Sequence, residues 1–276
     1  MSYSWSTLYY KEDIKNLLVK LTITLKNKYN NKKIEEDMLR KAVLYSSAYV
    51  ASCSVALFFY AFDAVVQVLK SGGTFTTVVV AWPDVAEIGL LPDTVRIIAY
   101  AMWWYFMIRA SAVYVLVISL TILLSHQYKI LQDYFYSLEN IFKADVKLEE
   151  KENDYENALK FGISIHAETM WCVKECQKVC NWVFSGQIGI NFTVFCMLML
   201  QMVNSERTFM SVLATLSTGL ALLTTTGFFM CNAGDITVEA GLLPRAIFSS
   251  GWQNCRGDAA IRVRKLITLA IAQSQV

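Results

Sequence analysis

The chain has 276 residues, of which 55% are hydrophobic, and a mean hydropathy of +0.38, above the ~45–50% apolar share of a soluble domain. Its net charge of +2 gives no attraction to nucleic acid, and no basic run is interleaved with aromatics. Seven cysteines, an odd number, do not make a secreted disulfide framework and suit a reducing cytosolic face.

Residues 1–42 are polar and basic. Lys11, Glu12, Asp13, Lys15 and Lys20 interrupt any apolar run, so the stretch is not a secretory signal. Leu17, Leu18, Leu21 and Leu25 form an i, i+1, i+4, i+8 pattern, which predicts an amphipathic helix outside the bilayer core.

Residues 43–69 make the first apolar span, small-residue-rich at its start and aromatic at its end. The segment 70–96 holds Gly72, Gly73, Trp82, Pro83 and Pro92, turn formers that preclude a continuous helix. A second span covers 97–124. The polar segment 125–182 follows, and its charge-dense centre at 147–160 reads as exposed or mobile. The third and fourth spans are 183–203 and 209–231, and a cytosolic segment occupies 232–276. The expected fold is an all-α polytopic transmembrane bundle of four spans, each long enough for a ~30 Å hydrocarbon core.

Lysine and arginine counts set the orientation. Residues 1–42 hold nine, 70–96 two, 125–182 seven, 204–208 one and 232–276 five. This alternation places both termini and the long middle segment in the cytosol.

No enzyme constellation is visible, and no metal or cofactor is called for. His126 and His166 read as packing residues. Cys172, Cys176 and Cys180 recur every four residues, a helix-packing stripe more than a metal site. Asn191-Phe192-Thr193 matches the glycosylation pattern but lies in mid-span.

Tyr100, Trp103, Trp104 and Met107 share one face of the second span at i, i+3, i+4 and i+7. Phe59 and Phe62 on the first span, and Leu213 and Ser217 on the fourth, lie at a matching depth. Together they are a candidate ligand-binding set, with aromatic core packing or a lipid belt as the plainer explanation. Arg109 lies about a dozen residues into its span, where a charge costs ~2.5–3.5 kcal/mol on insertion scales. Asp63 is its candidate partner; otherwise Arg109 faces a wet cavity or the bundle interior.

Several stretches in order resemble the insect odorant receptors. They are AWPD at 81–84, SHQYKILQDYFYSLENI at 125–141, HAETMWCVKECQKVCNWVFSGQI at 166–188, and the passage from the apolar run 209–231 through AIFSSGW to the basic helix with Arg262, Arg264 and Lys265. The resemblance implies an inverted seven-span topology of which this chain matches the third to sixth spans. It implies binding of small volatile odorants among the outer halves of the helices, and assembly with a shared co-receptor into a tetrameric cation channel in the plasma membrane. Assembly contacts would fall at 126–143, 160–182 and 233–275. The family's pore-lining seventh span would follow Val276, so the expectation is a fragment that adds no odorant-gated current as it stands. Alternatives are a gustatory receptor-like chemoreceptor and a small multispan transporter. The transporter should show an internal repeat, and none is found between 43–124 and 183–231.

Overall fold

The computed structural model describes residues 9–71, 89–204, 209–257 and 259–274. The AWPD stretch lies outside them. Among the described residues the fold is all-helical, without strands.

The amphipathic segment forms α1 (Lys11–Val19), a π-helical turn (Lys20–Thr24) and α2 (Leu25–Lys28). Four long helices follow: α3 (Lys32–Ser71), α4 (Leu90–Ser137), α5 (Leu148–Asn204) and α6 (Phe209–Phe248). A 3-10 turn (Leu138–Lys143) follows α4, another (Trp252–Asn254) follows α6, and α7 (Ala259–Gln273) ends the order. Pro92 falls in the first turn of α4, where its missing N–H leaves no intrahelical bond unmade. Among the described residues three helical stretches, Lys32–Val66, Leu90–Lys143 and Leu148–Leu200, are long and apolar enough to cross a membrane. The α6 stretch from Phe209 to Ala233 carries no charge.

Each long helix runs beyond the span predicted within it. The 57 residues of α5 extend ~85 Å at 1.5 Å per residue, against the ~30 Å of a hydrocarbon core. Hydropathy ends where lipid contact ends; the helix continues wherever one apolar face still finds a protein partner.

The chain divides into two compact units. The first comprises Leu44–Val117 and Trp182–Phe228. Its outer face is strongly apolar: Phe58, Ile108, Ile188, Phe192, Leu216 and Leu223 are all more than half exposed, as a lipid-facing surface requires. Aromatic pairs join helices within it. Tyr45 stacks on Phe228 at 4.9 Å, Tyr49 meets Tyr114 edge-on at 5.9 Å, and Tyr60 meets Trp103 at 6.1 Å.

The second unit comprises Tyr9–Val43, Ile118–Asn181 and Phe229–Val276. Leu17, Leu25, Ile118, Leu131, Phe135, Leu159, Leu243 and Ile247 make its core. The amphipathic pattern of the N-terminal segment is thus spent inside this unit. The stretch 147–160, which reads as exposed or mobile, is instead the start of α5, with Tyr155 and Leu159 fully buried. Its carboxylates are neutralised locally. Glu152 Oε1 accepts the backbone N–H groups of Arg256 and Gly257 at 2.6 and 2.9 Å. Glu156 takes the Arg262 guanidinium through Nε and Nη2 at 3.0 and 2.9 Å and the Lys160 ammonium at 2.7 Å. Tyr155 Oη donates to Ser250 Oγ at 2.6 Å, because the serine hydroxyl itself donates to the Ile247 carbonyl. Cys172, Cys176 and Cys180 are buried in the same unit.

Glycine answers close approach at Gly162 and Gly251, among others. A Cβ on Gly162 would sit 2.8 Å from the Tyr134 ring and 2.9 Å from that of Phe135. Gly251 adopts φ 91°, the left-handed conformation that turns the chain after α6, and its Cα faces Glu139.

Candidate functional site

The first unit holds a cavity of about 300 Å³. Each of its four helices contributes one face at the 3.6-residue period. From α3 come Tyr49, Cys53, Ala56, Leu57 and Tyr60; from α4, Trp103, Phe106, Met107, Ala110 and Tyr114. From α5 come Gln187, Ile190, Asn191 and Val194, and from α6 Thr218, Ala221, Leu222 and Thr225. Small residues make the space: Ala56 and Ala221 are buried where a larger side chain would fill it. The volume is at the lower end of the ~300–1,000 Å³ common for small-molecule sites.

The accessible lining is mostly apolar, and several of its polar groups are committed to neighbours. Ser111 Oγ donates to the Met107 carbonyl at 3.0 Å, and Thr225 Oγ1 to the Ala221 carbonyl at 2.7 Å. Gln187 Nε2 donates to Asn191 Oδ1 at 2.7 Å, and Asn191 Nδ2 to Thr226 Oγ1 at 2.7 Å. The mid-span asparagine of the glycosylation pattern is thus tied to the neighbouring helix.

Of the residues singled out from sequence, Trp103, Met107 and Arg109 line the cavity. Tyr100 and Trp104 pack around Trp103, Tyr100 stacking at 6.2 Å and Trp104 edge-on at 5.6 Å. Phe59 and Phe62 pack on Phe58 at 5.8 and 6.3 Å, and Phe62 is exposed; neither is among the cavity's lining residues. Nor are Leu213 and Ser217, because α6 meets the cavity one to two turns deeper, from Thr218 to Thr225. The side chain of Asp63 lies outside the described ones. Arg109 Nη1 donates to the Tyr105 hydroxyl at 2.9 Å, and its guanidinium lies 5.6 Å from that ring. The side chain therefore runs one turn towards the N-terminal end of α4, as a snorkelling cation does.

Sequence reasoning missed the whole α5 contribution. The available signal was polarity: Gln187 and Asn191 lie four residues apart in an otherwise apolar span, and intramembrane polar residues face protein or cavity. No group of acidic, histidine or cysteine side chains suited to a metal occurs among the described residues.

Long helices apolar enough to cross a membrane define a polytopic all-helical protein of the membrane class. The family model described as 7tm odorant receptor matches residues 2–276, and the chain belongs to that family. It is a chemoreceptor family, not an enzyme family. No curated protein matches the chain.

Proposed function

We infer that the chain is an odorant receptor subunit that binds small volatile molecules in the cavity between α3, α4, α5 and α6. Through that binding it tunes a ligand-gated cation channel formed with the shared co-receptor in the plasma membrane. The observation that carries this reading is an aromatic-lined cavity of about 300 Å³ whose accessible surface is mostly apolar, in a chain of chemoreceptor family. Concave, mostly apolar sites with a small number of placed polar groups are the common form of small-molecule sites. Apolar burial at ~25 cal/mol per Å² gives a ligand of this size modest affinity and broad tuning.

The test fills the cavity. Ala221→Phe introduces a ring into the lining without touching the polar groups. A receptor carrying this bundle, co-expressed with the co-receptor, should lose its odorant-evoked current while surface expression stays near that of the wild type. An unchanged odorant profile in Ala221→Phe would place the ligand elsewhere.

A further inference from the structure

On α3 and α4 the cavity's lining begins and ends on aromatic rings. Its first and last members are Tyr49 and Tyr60 on α3, and Trp103 and Tyr114 on α4. The two helices run along it in opposite directions, so the rings meet in pairs across the gap. Tyr49 meets Tyr114 at one end, with ring centroids 5.9 Å apart, and Tyr60 meets Trp103 at the other, 6.1 Å apart. Between the pairs the α3 lining is Cys53, Ala56 and Leu57; on α4, Phe106 lies about one turn in from Trp103, with Ala110 and Ser111 beyond it.

This spacing sets a length. Eleven residues separate Tyr49 from Tyr60 and Trp103 from Tyr114, so both helices put the ring pairs ~16.5 Å apart at 1.5 Å per residue. The equal interval on two antiparallel helices keeps the pairs in register. A carbon in contact with a ring atom stands ~3.5–4.0 Å from it, which leaves ~9 Å between the terminal atoms of whatever lies between the pairs. An extended hydrocarbon chain advances ~1.25 Å per bond, from a C–C length of ~1.52 Å and an angle of ~111°, so ~9 Å is about seven bonds and eight heavy atoms. The other two walls agree. The α5 lining runs from Gln187 to Val194 and the α6 lining from Thr218 to Thr225, ~10.5 Å each. Spread over that length, about 300 Å³ gives a section of ~30 Å², so the cavity is longer than it is wide.

We propose that the cavity measures the length of straight-chain aliphatic ligands, with the Tyr49–Tyr114 and Tyr60–Trp103 pairs as its stops and about eight heavy atoms as its limit. This deepens the reading of the cavity as the ligand site and rests on it. Each methylene seated between the pairs adds apolar burial. A methylene beyond the limit must displace a ring or stay outside, because packed side chains do not yield by an atom's width without cost. The head group counts for less than the chain, since the accessible lining is mostly apolar.

The experiment measures binding of the straight-chain primary alcohols from butanol to dodecanol to the full chain in lipid nanodiscs, against free aqueous ligand and with binding to empty nanodiscs subtracted. Wild type, Tyr49→Ala, Trp103→Ala and Ala221→Phe are compared. Wild-type affinity should rise about fourfold per carbon, the transfer free energy of one methylene, up to heptanol and stop rising by nonanol. A pair with one ring gone no longer spans the gap. In Tyr49→Ala the next ring pair along α3 is Tyr45 on Phe228, ~6 Å further, so the break should move to chains about four carbons longer. Trp103→Ala should also move it to longer chains, from the opposite end. The two ends are separate, so either variant decides the matter if the other does not fold. A break that stays in place in a folded end variant, or wild-type affinity that climbs through dodecanol, would overturn the proposal while leaving the cavity as a site. No saturable binding above empty nanodiscs, or equal binding in Ala221→Phe, would overturn the cavity reading and this proposal with it.

Discussion

Glu152 is 4% exposed and serves as an acceptor for two backbone N–H groups of the segment between α6 and α7. Gly257 lies so close that a Cβ there would stand 2.7 Å from Glu152 Oε2. The side chain thus fixes a tight turn that could otherwise be satisfied only by solvent. Glu152→Ala should cost ~1–3 kcal/mol, the penalty for orphaned, partly buried donors, whereas Glu149→Ala, one turn earlier and exposed, should change little. Melting of the purified chain in detergent compares the two. An equal effect would mean that the turn is held by α7 packing alone.

At the scale of the element, α5 shows what was legible in the sequence and what was not. Its apolar half announced a span at 183–203, and the family resemblance announced the cytosolic helix entering it. The charged run at 147–160 hid the helix start, because Glu152 and Glu156 read as solvent-seeking until their distant partners, Arg256, Gly257 and Arg262, are in place. Periodicity found the α4 face of the cavity, since its aromatics stand out. It missed Tyr49, Cys53 and Ala56 on α3 because small and mixed residues carry no visible stripe, and it set the α6 face too shallow.

Two titratable groups of α5 that precede Val183 also give the element a pH signature. Burial pushes the His166 imidazole below its ordinary value, so the unfolded chain binds the proton more readily than the folded one. Stability is therefore complete above the unfolded value of about 6.5 and falls as pH drops below it. The Glu156 carboxyl is held below its usual range by Arg262 and Lys160, so its contribution is present above about pH 4.5 and is lost only as pH falls through its folded value. On lowering pH from about 7.5 to about 5.5, the melting temperature should fall, and His166→Gln should flatten that slope without changing the behaviour near pH 4. An unaltered slope would assign the mid-range loss to other groups.

For the whole molecule, the decisive quantity is which side of the membrane the polar segments occupy. Nine and seven basic residues flank the first span's start and the second span's end, against two between those spans, and each charge near a span end biases insertion towards a cytosolic location. The structure decides where to ask. A tag inside 150–156 would strike Glu152, Tyr155 and Glu156, all buried, and would report misfolding as readily as topology. Residues 144–147, between the 3-10 turn after α4 and the start of α5, are exposed and can carry an insertion at little cost. Tags at residue 1, in 144–147 and at residue 276 should be inaccessible to antibody in intact cells and stain after permeabilisation. A tag within 70–96 should stain in both. Staining of the 144–147 tag on intact cells would reverse the orientation and move the Trp103 end of the cavity to the cytosolic side, where a volatile ligand arriving from outside would have to cross the bilayer to reach it.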